Sequence, residues 1–123
     1  MTTKINSRSN QAVAKFIRMS PRKIQRVLQQ ISGCSYEEAL ILLKFLPYRA
    51  CQPISKVLKS AAANAINTAK IPKENLMVSQ AIVGRGTILK RGRPRAKGRI
   101  FQILKYTSHI RIILKDKTSL INF

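Results

Sequence analysis

The chain has 123 residues, which suits one domain with a modest core, and 45% of them are apolar, so a packed body is expected. Its 24 lysines and arginines face only 4 acids, a formal net charge of +20. Self-repulsion of that size is best tolerated beside a polyanion, and no apolar run approaches the roughly 20 residues that cross a bilayer, so nucleic acid leads as the partner class and membrane insertion is disfavoured.

The same composition argues against catalysis and metal binding. The acids are Glu37, Glu38, Glu74 and Asp116, and the chain has a single histidine, His109. Four scattered carboxylates and one imidazole do not assemble an acid–base constellation, so the protein reads as non-enzymatic. Cys34 and Cys51 have no further Cys or His nearby, where a zinc site needs four grouped ligands. They read as reduced thiols of an intracellular protein, and no cofactor, metal or small-molecule substrate is expected.

In chain order, residues 1–11 read as an extended, acid-free tail, short for a transit peptide and without the apolar core of a signal peptide. Residues 11–18, "QAVAKFIR", alternate loosely as a short strand would. Ser20 then suits an N-cap, Pro21 the first helical position and Gly33 the stop. Between them Ile24, Val27, Leu28 and Ile31 fall at helical spacing, leaving Arg22, Lys23 and Arg26 on the other side.

A second helix starts at "SYEEALILLKFL". Ser35 and Glu38 form a capping-box pattern, and Glu37 and Glu38 sit where the helix dipole favours acids. Two of the four acids thereby have a helical explanation. Pro47 ends this helix, and a third spans about 49–68, with Pro53 tolerated in the first turn and an alanine-rich middle, "SAAANAINTA".

After "KIPKEN" the period changes from helix to strand. "LMVSQAIVG" and "HIRIILKD" alternate, with Ile110, Ile112 and Leu114 on one face. Between them lies "GRGTILKRGRPRAKGR", residues 84–99, with seven basic side chains, no acid and four glycines, followed by "IFQILKYTS". Two core strands joined by this stretch make a long antiparallel hairpin. If pairing inside the body ends near Val83 and Tyr106, residues 84–105 overhang by about 35 Å at ~3.3 Å per residue. A domain this small has a radius of gyration of about 14 Å, so the hairpin must project. An isolated two-stranded ribbon is marginal in water, and folding back into the core would bury seven cations, so its order is expected to come from an extended polyanion.

Within the stretch, Lys90-Arg91-Gly92-Arg93-Pro94-Arg95 resembles an AT-hook, which enters the minor groove of A·T-rich DNA. Such hooks sit in polar, disordered and often repeated segments, whereas this one is single and strung between core strands. An architectural DNA-binding protein is the alternative reading.

A second resemblance covers about residues 12–116. Lys90, then Arg95-Ala96-Lys97-Gly98-Arg99, nine residues, and His109-Ile110-x-Ile112-x-Leu114 resemble the signature of the large-subunit ribosomal protein L twenty-two family. "MSPRK", "SYEEAL" and "SAAANA" are similar to the family's three helices, and "PYRAC" resembles its plastid branch more than the bacterial one. The departures are the first eleven residues and the tail "KTSLINF".

The resemblance implies an α+β fold, three helices packed on a small antiparallel sheet with one long protruding hairpin, and a single domain over 12–116 between tails at 1–11 and 117–123. It implies a structural constituent of the large ribosomal subunit in the plastid stroma, or otherwise the bacterial cytoplasm, with ribosomal RNA and neighbouring ribosomal proteins as partners. The body would bind rRNA at the subunit surface through Arg18, Arg22, Lys23 and Asn64. Arg85, Arg95, Lys97 and Arg99 would lie on the hairpin arms. Lys90, Arg91 and Arg93 would bind rRNA near a tip at Leu89, Lys90, Arg91, Gly92, Arg93 and Pro94 that lines the nascent-peptide exit tunnel and meets the nascent chain. With no aromatic residue in 84–99, recognition is expected by RNA shape and backbone rather than by base reading. Asn64 has a plainer reading as a back-bond within its helix, and His109 as a local hydrogen bond or phosphate contact.

Overall fold

The computed structural model describes residues 10–120. Strand β1 (Gln11–Ile17) leads into helices α1 (Pro21–Ile31), α2 (Tyr36–Phe45) and α3 (Cys51–Ala69), then the long strands β2 (Leu76–Pro94) and β3 (Ile100–Asp116). The sheet order is β1-β3-β2, antiparallel throughout, so the last strand lies in the middle. This is the expected α+β architecture. Its edges differ slightly from expectation: Gln11 already pairs with Ile113, the Asn10 carbonyl accepts from the Leu114 N–H at 2.9 Å, and Lys117–Leu120 form a short 3₁₀ turn. Residues 1–9 and 121–123 of the expected tails lie outside the described residues.

Each helix forms for the reasons its sequence supplies. In α1, Ile24, Val27, Leu28 and Ile31 are buried and the intervening cations face outward. Ser20 occupies the N-cap with extended backbone, but its hydroxyl makes no cap bond; Pro21 at the first helical position supplies the start. Gly33 takes φ +83°, the left-handed conformation that ends the helix and that a side chain would resist. In α2 the capping box forms as expected. Ser35 Oγ accepts from the Glu38 N–H and Glu38 Oε2 accepts from the Ser35 N–H, both at 3.4 Å. Helix α3 begins two residues later than expected and buries Ile54, Val57, Leu58, Ala61, Ala62 and Ala65. Those alanines permit close packing on β1 and β3.

The core lies between the helices and one face of the sheet. Ile110, Ile112 and Leu114 of β3 are all buried there, joined by Leu76 and Val78 of β2 and Ala12 of β1. Period-two alternation sends Arg111 and Lys115 to the open face. Both cysteines are free thiols, Cys34 half-buried and Cys51 buried.

Three register shifts shape the sheet, one of them between Val78 and Gln80. The β1–β3 register shifts between Ala14 and Ile17, where Phe16 adopts φ 57°. His109 Nδ1 accepts from the Phe16 N–H at 3.0 Å, and the two rings meet edge to face at 4.9 Å. His109 is therefore the local structural partner that its lone position suggests. The β2–β3 register shifts between Arg85 and Ile88. There Thr107 Oγ1 donates to the Thr87 carbonyl at 2.5 Å, and a Cβ on Gly86 would collide with the same Thr107 hydroxyl. Glycine is required at 86 because the strands pinch together at this bulge.

Candidate nucleic-acid interface

Beyond the bulge β2 and β3 leave the core but keep pairing. Seven cross-strand pairs run from Ile88 opposite Tyr106 to Pro94 opposite Ile100, about 23 Å of ribbon at roughly 3.3 Å per residue. The sheet's burial stops with Thr107; from residue 90 to 102 every residue is exposed. The ribbon is thus an arm with no hydrophobic core of its own.

The arm's turn lies further out than the sequence suggests. Arg95 to Arg99 form it, closed by the Arg95 N–H donating to the Arg99 carbonyl at 2.7 Å, with Lys97 (φ 61°) and Gly98 (φ 71°) both left-handed. Leu89, Lys90, Arg91, Gly92, Arg93 and Pro94, expected at the tip, instead form the outgoing strand. Arg95, Lys97 and Arg99, expected on the arms, occupy the turn. The reason is register: pairing reset at the Gly86–Thr87 bulge runs from Ile88 through Gly92 and Pro94 without a break, so their turn-forming character is overridden.

All seven cations of 84–99 are exposed: Arg85, Lys90, Arg91, Arg93, Arg95, Lys97 and Arg99. Alternation places Arg91 and Arg93 on one face and Lys90 on the other. The turn carries an aromatic neighbour that the basic stretch itself lacks. Phe101, opposite Arg93, is 54% exposed, and the Arg95 guanidinium lies 5.7 Å from its ring centroid.

On the body, Arg18, Arg22 and Lys23 are exposed at the start of α1. That corner is tied to the root of the arm, because the buried Ser108 hydroxyl donates to the Met19 carbonyl at 2.7 Å. Asn64 is placed differently from its helix-internal reading: its side-chain amide donates to the Gln11 carbonyl at 3.0 Å, linking α3 to the edge strand β1. The residue is exposed, and that bond leaves its amide oxygen and second N–H unused.

Between the α1 corner and the arm's root lies a cleft of about 680 Å³. Its rim carries Arg18, Lys23, Arg26 and Arg49 from the body and Arg91 and Lys105 from the arm. Met19, Ala50, Leu89 and Leu104 are its apolar lining, and Tyr48 and Tyr106 also line it. Among the described residues no carboxylate lines it. Sequence reading noted Arg26 only as a solvated helix residue and missed Tyr48, Arg49, Lys105 and Tyr106. They come from separate elements, which meet where α1 packs on the sheet and the Ser108 hydroxyl ties its entrance to the arm's root.

Residues 12–115 match the family described as "Ribosomal protein L22p/L17e". The chain belongs to that family. It is 50% identical over 116 residues to "Large ribosomal subunit protein uL22c" of Rhodomonas salina, covering 94% of this chain and 98% of the relative. It is 58% identical over 105 residues to the protein of the same name from Mesostigma viride, covering 85% and 88% respectively. To "Large ribosomal subunit protein uL22" of Thermosynechococcus vestitus it is 53% identical over 114 residues, 93% of each chain. Membership in this family makes it a structural, non-enzymatic protein of the large ribosomal subunit, and plastid-type members are among its near relatives.

Proposed function

We propose that the chain binds large-subunit ribosomal RNA over two continuous surfaces, the α1 corner of the body and the whole exposed arm. The observation that carries this reading is an arm with seven exposed cations in 84–99, paired as a ribbon yet lacking a core. Each Lys or Arg set against a phosphate releases condensed counterions, and Arg adds bidentate hydrogen bonds and stacking. Arg18, Arg22 and Lys23 hold the body against RNA at the subunit surface, with the amide oxygen of Asn64 as a neutral acceptor. Arg85, Lys90, Arg91 and Arg93 follow phosphates along the arm.

The arm then threads through rRNA so that the Arg95–Arg99 turn, with Phe101 beside it, reaches the wall of the nascent-peptide exit tunnel and the emerging chain. Neighbouring ribosomal proteins complete the setting, and the plastid stroma is the compartment that the uL22c relatives support, with the bacterial cytoplasm as the alternative. The DNA-hook reading loses its basis, since Arg91-Gly92-Arg93-Pro94 is a paired strand segment.

A photoreactive residue at Lys97 in purified large subunits tests the placement. Crosslinks to large-subunit rRNA and to a stalled nascent chain are expected. Crosslinks confined to subunit-surface proteins would contradict it.

A further inference from the structure

The cleft at the arm's root has features that phosphate binding alone does not call for. A ribbon of cations suffices for counterion release, yet here the cations line one cleft together with apolar side chains and two tyrosines. Tyr48 is 37% exposed and Tyr106 43% exposed. The Arg26 guanidinium lies over the Tyr48 ring, 5.6 Å from its centroid, which steadies the ring by cation–π attraction while leaving it open to the cleft. Tyr106 pairs with Ile88 at the first position beyond the Gly86–Thr87 bulge, so the register shift there sets where this residue stands.

The volume, about 680 Å³, falls among pockets that enclose small ligands, roughly 300–1,000 Å³. Two tyrosines among apolar lining residues match a planar heterocycle, and six cations with no carboxylate among the described lining residues match the phosphates on either side of it.

We propose that this cleft receives one unpaired nucleotide extruded from an RNA helix. Its base lies against Tyr48 and Tyr106, and its flanking phosphates lie against Arg18, Lys23, Arg49 and Lys105. The inference rests on the RNA-binding reading above and deepens it: the body recognises a defect in a helix as well as backbone charge. Stacking is tolerant of base identity, so the discrimination is between paired and unpaired rather than between sequences.

The test measures binding of the full chain to a short RNA duplex with or without a single unpaired adenine, by fluorescence anisotropy at one fixed salt concentration. The bulged duplex is expected to bind about tenfold more tightly. Tyr48→Ala and Tyr106→Ala should each bring that ratio toward one while leaving affinity for the paired duplex within about twofold, because the cations remain. Tyr48→Phe and Tyr106→Phe should preserve the ratio, since the ring and not the hydroxyl carries it. Unchanged thermal melting of each variant shows that the fold is intact.

Equal binding of the two duplexes by the native chain, or a ratio that survives both alanine variants, would overturn the cleft proposal alone. A ratio lost in the Phe variants too would overturn the stacking claim. An acidic peptide that displaces the bulged duplex as well as bulged RNA does would reassign the cleft to a protein partner and overturn it. Failure to bind either duplex would overturn the RNA reading itself.

Discussion

Strand β3 passes through two environments. From Thr107 to Leu114 it is the middle strand of the sheet, with Ser108, Ile110, Ile112 and Leu114 essentially inaccessible. From Ile100 to Tyr106 the same strand keeps its partner but loses its core; Ile100 is 73% exposed and Phe101 54%. Backbone pairing resumes at once beyond the Gly86–Thr87 bulge, so hydrogen bonds do not distinguish the halves. Burial does. The body is held by hydrophobic contact with three helices, whereas the arm holds a shape that its own side chains do little to stabilise.

The largest effect that sharpens this contrast comes from truncating matched apolar residues. Ile112→Ala should cost the body about 2–5 kcal/mol of unfolding free energy in urea titrations, through lost burial and a residual cavity. Leu104→Ala on the arm should change it by less than about 0.5 kcal/mol. Thiol alkylation offers a second reading of the same body. Burial pushes the Cys51 thiol up, opposed by its hydrogen bond with the Tyr48 backbone, so thiolate is scarce at neutral pH. Cys34 should therefore react first, and Cys51 of the Ile112→Ala variant should react faster than in the native chain.

The arm's chemistry should respond in the opposite sense. Replacing its seven cations in 84–99 with glutamine should leave body stability unchanged or raised. The slope of log binding constant against log salt for rRNA should fall in magnitude by about five to six. A slope unaltered by that replacement would move the interface onto the body.

At the boundary, Gly86→Val forces a side chain into Thr107 and should cost about 1–3 kcal/mol, with loss of amide protection around the bulge. The smallest effect belongs to a feature far from RNA: Ser35→Ala removes half of the α2 capping box and should cost about 1 kcal/mol without altering rRNA affinity.

Much of the body was legible because its signals are local. Ile24, Val27, Leu28 and Ile31 announce one face of α1, Ser35 and Glu38 announce the start of α2, and Ile110, Ile112 and Leu114 announce the buried face of β3. The hairpin was legible as a whole, since a basic stretch between two apolar strands has few other arrangements. Its turn was not. Gly92 and Pro94 look like turn residues, but register set near the Gly86–Thr87 bulge carries the strands past them to Lys97 and Gly98. The cleft was illegible for a related reason. Tyr48, Arg26 and Tyr106 are far apart in sequence, and what joins them is the packing of α1 on the sheet together with the Ser108–Met19 hydrogen bond. Asn64 shows the same limit, because its partner, the Gln11 carbonyl, lies 53 residues away.

The decisive measurement is amide hydrogen exchange of the purified full chain, alone and bound to large-subunit rRNA. A ribbon that takes its order from phosphates should exchange rapidly at 88–94 and 100–106 when free and slowly when bound, while 110–114 stays protected in both. Equal protection of arm and body in the free chain, unaltered by rRNA, would contradict the account.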